Sequence, residues 1–518
     1  MFHNSRIRLL PLNLSSTLVI IAAGLVDGAS ARAANVPELS ATVINGVSAY
    51  SPMQLFAVYR DQLGRPISSA SAQAIIAQIE ALYARDGYSR PEFRLDSDLT
   101  ANGILRIEVF EAQVAQVIVG GDAGPYAARL DVIANELRSH VPVRSADLQA
   151  ALQTMRDLPG LTINATTRRD ESRPNSYALL LDASFKPVEG VVQVTNRGTD
   201  EIGPQFALGQ LVANNFFGLG ERIGLLYSGA FQYDEYHGVG LFADLPVDSH
   251  DTHFTASTFA SHSDPTETPD RNDIYDRART TLRVTRPIDA GPKYKVALSA
   301  GIDFDDLQLK RDGEQLREEK LRVAELGGRL IGSTSPMNQY LLSLQVRKGL
   351  NGFGSTLDAA DLTYDPRRKD FWLTRVQFTH LTRFATNWTV RVDALGQSSA
   401  YVLPDAERYK IGGERLGRGF EVTAIAGDQG VGAKAELRRD LSSALSAFGK
   451  TSVYGFYDFG AVWKQDLPGR ESAATSGFGL SCEYGRVSGF IEIAKPMTHA
   501  DLEGNRDPKI FVELSLKL

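Results

Sequence analysis

WTVRVDA, residues 388–394, and VGAKAELR, residues 431–438, are the stretches that decide the fold. In both, apolar side chains take every second position and polar or small residues take the positions between them. A period of two is that of a β-strand, whose successive side chains point to opposite faces of a sheet. The same alternation recurs from about residue 188 to the end of the chain. This part of the sequence therefore predicts strands with one apolar and one polar face.

The connections between these strands favour a closed barrel over a stacked sandwich. Short connections, such as 247–249 and 485–486, alternate with long polar or glycine-rich ones. A soluble sandwich with an apolar interior would satisfy the alternation of any single strand, but long loops at one end and tight turns at the other are typical of a transmembrane barrel. We therefore predict a 16-stranded antiparallel transmembrane β-barrel over residues 188–518. The long connections are expected at 262–273, 305–319, 348–369, 397–430 and 464–476.

Two shorter α+β units are predicted in front of the barrel. In the first, over 39–112, Ile75 and Ile79 lie on the apolar stripe of a helix that precedes an alternating strand at 104–109. A second copy of this plan follows over 113–187. Each unit is interpreted as a strand, two helices and two strands, so we predict two β-α-α-β-β domains.

The first 33 residues have the pattern of a secretory signal peptide. Arg6 and Arg8 precede an apolar run at 18–26, and small residues follow at 29–34. The apolar run is too short to span a bilayer, which requires about 20 residues. We therefore assign residues 1–33 to a cleaved signal peptide.

Composition excludes several classes of protein. The chain has 55 Lys and Arg residues against 62 Asp and Glu residues and no long basic run, so we expect no nucleic-acid partner. The single cysteine, Cys482, permits no intrachain disulfide and no cysteine-based metal cluster.

The sequence contains no convincing catalytic or metal-binding pattern. Residues 449–451, Gly-Lys-Thr, resemble the end of a phosphate-binding loop, but Ala444 stands where that pattern requires glycine. His250 and His253 are expected to be solvated at a turn, and the acidic cluster at 303–306 is interpreted as a solvated strand end. We therefore predict no catalytic residue, no cofactor, no metal site and no enzymatic activity.

Several segments together resemble those of one family. Residues 79–88 and 102–111 are similar to the helix end and last strand of a first POTRA domain, 156–161 to the end of a second, and 215–221 to the first periplasmic turn of a barrel. As a set they resemble the transporters of two-partner secretion, the haemolysin secretion and activation family. The positions that carry the POTRA resemblance are Tyr83, Gly87, Tyr88, Asp157, Leu158, Pro159 and Gly160.

This family lies within a larger superfamily of POTRA-bearing outer-membrane assembly and translocation barrels. Two further segments resemble the motif pair that fastens a folded-in sixth loop in that superfamily. Their residues are Gly417, Arg418, Gly419 and Phe420 in the predicted loop at about 398–430, and Phe456, Asp458 and Gly460 on the barrel wall. An aspartate facing lipid would be costly, so Asp458 is expected to face the lumen. Arg418 is our candidate partner, because an arginine can bind a carboxylate through two parallel hydrogen bonds. The alternative is a solvated Arg418 and an Asp458 that pairs with another lumenal cation.

The resemblance implies a monomeric pore in the outer membrane, with the POTRA domains in the periplasm. Its partner would be a large secreted exoprotein, a TpsA-like adhesin or haemolysin, which the POTRA domains recognise unfolded and which crosses the membrane without ATP. Outer-membrane lipid and lipopolysaccharide would surround the barrel, and the barrel-assembly machinery would insert it. The alternative is an assembly factor of the BamA type that inserts other barrels. A passive porin or an outer-membrane enzyme would need either no receptor domains or a catalytic constellation.

Overall fold

The computed structural model describes residues 37–95, 103–248, 251–265, 272–289, 293–359, 364–498 and 506–518. The predicted signal peptide lies outside the described residues. The chain divides into two units, the first ending at Glu111 and the second beginning at Ala112.

The first unit is a three-stranded sheet packed against helices. Strand β1 is parallel to β3 and β2 is antiparallel to it, so β3 is central; the elements are β1 (Ala41–Asn45), α1 (Pro52–Tyr59), α2 (Ser69–Arg85), β2 (Glu92–Leu95) and β3 (Ile104–Phe110). Ile75, Ile79 and Tyr83, which form one face of α2, are fully buried with Leu105 and Ile107 of β3. Helical spacing of apolar residues is therefore what joins the helix to the sheet.

The second unit begins with the same order of elements. They are β4 (Gln113–Asp122), α3 (Ala127–Ser139), α4 (Ser145–Arg156), β5 (Leu161–Asp170) and β6 (Ser176–Phe185). Strand β6 is central, with β4 parallel and β5 antiparallel to it. Leu130, Leu137 and Met155 of the two helices are buried with Leu179 and Leu181 of β6. No helix among the described residues is long and apolar enough to cross a membrane.

The rest of the second unit is a closed antiparallel barrel, which confirms the predicted 16 strands. Within the described residues, sixteen strands pair around the closure, and the short strand β16 (Thr356–Ala359) pairs with the part of β14 (Glu314–Ser335) that extends past β15 (Asn338–Gly349). The strands are β7 (Val188–Thr195), β8 (Phe206–Asn214), β9 (Arg222–Ala230), β10 (Tyr236–Pro246), β11 (His253–Ser263), β12 (Asp273–Asp289), β13 (Tyr294–Arg311), β14 (Glu314–Ser335), β15 (Asn338–Gly349), β16 (Thr356–Ala359), β17 (Trp372–Ala385), β18 (Trp388–Ser398), β21 (Gln429–Asp440), β22 (Lys450–Trp463), β23 (Glu471–Tyr484), β24 (Val487–Pro496) and β25 (Lys509–Lys517). Two short strands, β19 (Tyr409–Ile411) and β20 (Ile425–Gly427), pair only with each other.

The two faces of the barrel strands differ as the alternation predicts. On β22, Tyr457 and Phe459 are exposed, whereas Phe456, Asp458 and Gly460 on the opposite face are buried. Large exposed apolar side chains also occupy alternate positions of the last strand, β25. An outer surface of this kind suits contact with hydrocarbon and would be unfavourable in water.

The predicted long connection at 305–319 is wrong, because β13 and β14 continue almost to each other. They are joined by Asp312 and Gly313, both with positive φ, at 52° and 86°. The charges on which the prediction rested face arginines of neighbouring strands; Arg277, for example, donates hydrogen bonds of 2.8 and 2.6 Å to Asp305. The acidic cluster that we assigned to a solvated strand end is therefore paired with arginines.

Candidate functional site

Residues 399–428 connect β18 to β21 and fold into a compact segment, here called the 399–428 connection. Its two short strands pair antiparallel, with Ile411 opposite Ile425. Between them, the Gly413 N–H donates to the Phe420 carbonyl at 3.0 Å, and the Phe420 N–H donates to the Gly417 carbonyl at 2.9 Å. These hydrogen bonds close residues 412–424 into a tight turn, here called the tip.

The tip carries Arg418, which lies against Asp458 of β22. Arg418 Nε donates to Asp458 Oδ2 at 3.0 Å and Nη2 donates to Oδ1 at 2.9 Å, so the guanidinium binds the carboxylate through both oxygens. The backbone N–H groups of Gly417 and Arg418 also donate to Oδ2, at 3.3 and 3.2 Å. The Arg418 side chain is 6% exposed and that of Asp458 is 0% exposed. A buried ion pair with this geometry fixes the position of the connection on β22, because either charge alone would be costly to bury.

Two further carboxylates and an aromatic ring complete the surroundings of Arg418. Its Nη1 donates to Glu436 at 3.1 Å and to Glu492 at 3.2 Å, and its guanidinium carbon lies 3.5 Å from the centroid of the Phe456 ring. Glu492 also accepts a 2.6 Å hydrogen bond from Arg197 on the chain just after β7. The wall therefore offers carboxylates from several strands to the Arg418 guanidinium, and two of them, Glu492 and Glu436, also bind Arg197 and Arg438.

The other predicted tip residues allow the close approach. Gly417 has a φ of 89°, which favours glycine. A Cβ on Gly419 would lie 2.9 Å from Thr475 Cγ2 and 3.1 Å from the backbone nitrogen of Pro496, so only glycine fits between these strands without a shift. Phe420 is 2% exposed and belongs to an apolar cluster of the connection and the wall.

Glycines of the wall receive the apolar side chains of the connection. A Cβ on Gly460 would lie 2.7 Å from Ile411 Cδ1 and 3.0 Å from Leu416 Cδ2. On Gly430 and Gly432, which share one face of β21, a Cβ would lie 2.2 Å from Tyr409 Cδ1 and 2.3 Å from Leu416 Cδ2, respectively. Only Gly460 was among the predicted site residues. Gly430 and Gly432 are two residues apart and therefore on one face of a strand, and this spacing was the signal that could have identified them.

Asp428, at the end of the connection, was also missed by sequence reasoning. Its side chain is 0% exposed and accepts hydrogen bonds from the N–H of Leu403, at 2.7 Å, and from the N–H of Gln465, at 2.8 Å. It therefore joins the start of the connection to the residues that follow β22.

Tyr83, Gly87 and Tyr88 lie around the end of α2, in the first unit. Tyr83 donates to Glu111 Oε1 at 2.5 Å, and the same oxygen accepts from the Ser48 N–H at 2.9 Å. Burial, together with this hydrogen bond to Glu111, raises the pKa of the Tyr83 hydroxyl above its ordinary value. Gly87 has a φ of 77°, and the Tyr88 ring packs edge-on at 5.8 Å from the Tyr83 ring. These residues make contacts that stabilise the first unit.

Asp157, Leu158, Pro159 and Gly160 lie between α4 and β5, in the second unit. Asp157 is the C-cap residue of α4, and Leu158 is buried in the core below it. Pro159 precedes Gly160, which has a φ of 72°; a Cβ there would lie 2.5 Å from the Lys186 carbonyl oxygen. The sequence motif is thus a helix stop that brings two backbone segments close together.

A family model matches more than half of the chain. The model of the haemolysin secretion/activation protein ShlB/FhaC/HecB matches residues 176–482, a range that contains both Arg418 and Asp458. The chain belongs to this family. The resemblance inferred from the sequence motifs is therefore confirmed. A search of curated protein sequences finds no match.

Solved structures of similar fold cover nearly all of this ShlB/FhaC/HecB family member. CdiB from Escherichia coli has a TM-score of 0.73 and 18% identity, covering 95% of this chain and 93% of its own. CdiB from Acinetobacter baumannii has a TM-score of 0.61 and 15% identity, covering 93% and 90%. BamA from Haemophilus ducreyi lacking POTRA domains 1–3 has a TM-score of 0.52 and 14% identity, covering 92% and 99%. At these identities the likeness concerns the fold.

Membership of the ShlB/FhaC/HecB family gives the barrel its general role. The protein is an outer-membrane β-barrel transporter of the two-partner secretion family, and this family implies a secreted partner of the TpsA type.

Proposed function

We propose that the protein carries a large unfolded exoprotein of the TpsA type across the outer membrane, and that the 399–428 connection is the movable obstruction in its pore. The observation that carries this proposal is the buried attachment of Arg418 to Asp458. A transporter must close its pore at rest and open it for its partner. An attachment made by one side chain to a small group of wall carboxylates can be released without unfolding the barrel.

The contacts of the connection support a position inside the barrel. They fall on Asp458 and Gly460, on the face of β22 opposite to the exposed Tyr457 and Phe459. In a closed barrel that face is the lumen. A 16-stranded barrel is wide enough to leave an aqueous channel once such a segment moves aside.

The two α+β parts of the chain, which are the first unit and the beginning of the second, are suited to receive the partner. In this proposal residues 39–112 and 113–187 are POTRA domains in the periplasm. Strands β1 and β2, and likewise β4 and β5, are the outer strands of three-stranded sheets. An extended segment of the exoprotein can add to such an edge through backbone hydrogen bonds. Transport then needs no ATP, because folding of the exoprotein outside the cell prevents its return. The barrel works as a monomer surrounded by outer-membrane lipid and lipopolysaccharide.

Deletion of the gene tests the proposal. We expect one large, signal-bearing protein to disappear from the medium and to accumulate in the periplasm, and the intact gene to restore its export. Unchanged secreted proteins in the deletion strain would contradict the transport function.

A second function, insertion of other barrels, is favoured by one observation. The closing strands β25 and β7 are paired only over five positions, Val191 to Thr195, whereas β24 and β25 are paired over eight. A short seam is the place where an assembly factor would open to template a new barrel. If this function is the main one, the deletion lowers the total amount of barrel protein in the outer membrane. The relative amounts of the secreted proteins in the medium stay unchanged.

A further inference from the structure

Glu407 is a second charged residue of the 399–428 connection that is buried against the barrel wall. Its side chain is 3% exposed. Arg347 of β15 donates to its two carboxylate oxygens, from Nη2 at 2.8 Å and from Nε at 3.1 Å, and Arg375 of β17 donates to it at 2.9 Å. Its backbone carbonyl also accepts hydrogen bonds, from Arg375 at 3.0 Å and from Gln397 at 2.8 Å. Side chain and backbone of Glu407 are therefore both held by the wall.

The wall organises these two arginines without help from Glu407. Arg347 also donates to Asp303 at 2.6 Å and to Glu325, and Arg375 donates to Gln397 at 2.8 Å. The pocket for Glu407 is thus preformed by strands β13, β14, β15, β17 and β18. A preformed pocket costs less to fill than one that must be ordered on docking.

The wall groups that bind Glu407 and Arg418 directly have opposite charges. Arg418 enters a group of three carboxylates on β21, β22 and β24, whereas Glu407 meets two arginines on β15 and β17. In the barrel, β18 lies between the two sets of strands. If the connection docked with the two residues exchanged, like charges would face each other in both pockets. Such repulsion selects one docked position out of many.

We propose that Glu407 is a positioning residue that, with Arg418, attaches the connection at two points of opposite polarity. This inference rests on the proposed function, in which the connection obstructs the pore. Either attachment alone keeps the connection in the lumen for part of the time, and the pore opens fully only when both are released. The two-point attachment also fixes the orientation to which the connection returns after transport.

Loss of one attachment or of the other has different consequences for the charges that remain on the wall. Without its carboxylate at 407, Arg347 still lies between Asp303 and Glu325, so its charge remains compensated. Without Arg418, the carboxylates of its pocket lose a shared cation. We therefore expect Glu407→Gln to fold as well as the parent protein, which makes it the better probe of the attachment.

Current through the purified full-length protein in a planar lipid bilayer tests the inference. The variants are Glu407→Gln, Arg418→Ala and the double variant, with Glu414→Gln as the matched control, because Glu414 is an exposed carboxylate of the same connection. We expect Glu407→Gln to raise the open fraction about tenfold, which corresponds to about 1.4 kcal/mol, and the double variant to be open far more than either single variant. Glu414→Gln should behave as the parent does.

Three results would overturn the inference. They are a parental open fraction for Glu407→Gln, a double variant no more open than Arg418→Ala, and an equal rise for Glu414→Gln. A folded barrel is verified for each variant by its resistance to unfolding in detergent gels. If Glu407→Gln does not fold, Arg375→Gln weakens the same attachment from the wall and must give the same rise, while Glu407→Asp must return the current toward the parental value. The current requires no exoprotein, so a failed secretion assay bears on the proposed function alone.

Discussion

The carboxylate of Asp458 accepts four hydrogen bonds from residues 417 and 418, although Arg418 lies 40 positions away in the chain. Two come from the guanidinium and two from backbone N–H groups. The aspartate therefore recognises the backbone conformation of the tip as well as the positive charge of Arg418. Lysine could supply the charge but not the two-nitrogen geometry. The wall residue therefore selects both an arginine and a glycine-containing turn.

Arg418→Ala is expected to reduce export of the partner by at least about tenfold, a change that corresponds to about 1.4 kcal/mol. The pore of this variant is open more often, but the connection no longer returns to one docked orientation after transport. Removing one member of a buried ion pair costs about 3–5 kcal/mol, which exceeds that value. The barrel should still insert, because backbone hydrogen bonds between strands close it. The measurement is the amount of exoprotein in the medium, together with the amount of folded barrel in the outer membrane. Arg415→Ala, an exposed arginine of the same tip, should export normally; normal export by Arg418→Ala would remove the attachment hypothesis.

Gly460→Val is expected to displace the connection while the barrel stays folded. The added side chain would enter the space of Ile411 and Leu416, and overpacking of this kind costs about 1–3 kcal/mol. The expected result is a higher conductance in planar bilayers. Gly455→Val is the control on the same strand, because a Cβ there would lie 3.8 Å from the nearest atom, the Gly477 carbonyl oxygen. Equal conductance of the two variants would mean that the wall glycine is not needed to seat the connection.

The turn after β8 is expected to loosen in acid because of Glu221. This buried carboxylate accepts hydrogen bonds from the N–H of Phe217, at 2.6 Å, and of Leu219, at 2.9 Å. Burial raises the pKa of the Glu221 carboxyl, but the backbone hydrogen bonds lower it more, so the pKa lies below its ordinary value of 4.5. A lowered pKa stabilises the folded turn above pH 4.5, and this contribution is lost as the pH falls through the folded-state pKa.

Hydrogen exchange of the amides at 215–221, corrected for the intrinsic rate, measures this effect. Protection in the parent protein should decline below pH 4.5. Glu221→Gln should have weaker protection at neutral pH and little further loss in acid. A variant that keeps the parental pH profile would exclude Glu221 as the titrating group.

Tyr83→Phe is expected to destabilise the first unit by about 1 kcal/mol, the usual contribution of one hydrogen bond. The loss is modest because Glu111 keeps donors from Ser48 and from the Ala49 N–H. Hydrogen exchange of helix α2 in the full-length protein measures it. Tyr59→Phe, at a half-buried tyrosine of the same unit, should leave the exchange of α2 unchanged. If both variants behave alike, the bond to Glu111 contributes nothing measurable.

Strand ends could be predicted less well than strands. The connection expected at 305–319 is instead two strands that continue to Asp312 and Gly313. Asp305 is buried beside Arg277, and no local pattern distinguishes such a paired lumenal charge from a solvated loop charge. Polarity in a barrel sequence therefore marks the lumen as well as the loops, and only the partner across the sheet separates the two.

The sequence by itself determined which face of each strand is apolar, because side-chain parity along a strand is a local property. Short motifs in the sequence also identified Arg418 and Asp458 as candidate site residues. Only the tertiary structure decided that Glu407 meets Arg347, 60 positions away in sequence, and that Gly430 and Gly432 lie under the connection. Those contacts exist because closure of the sheet brings distant strands around one segment. The strand order and register that closure imposes are not encoded in any local stretch of the chain.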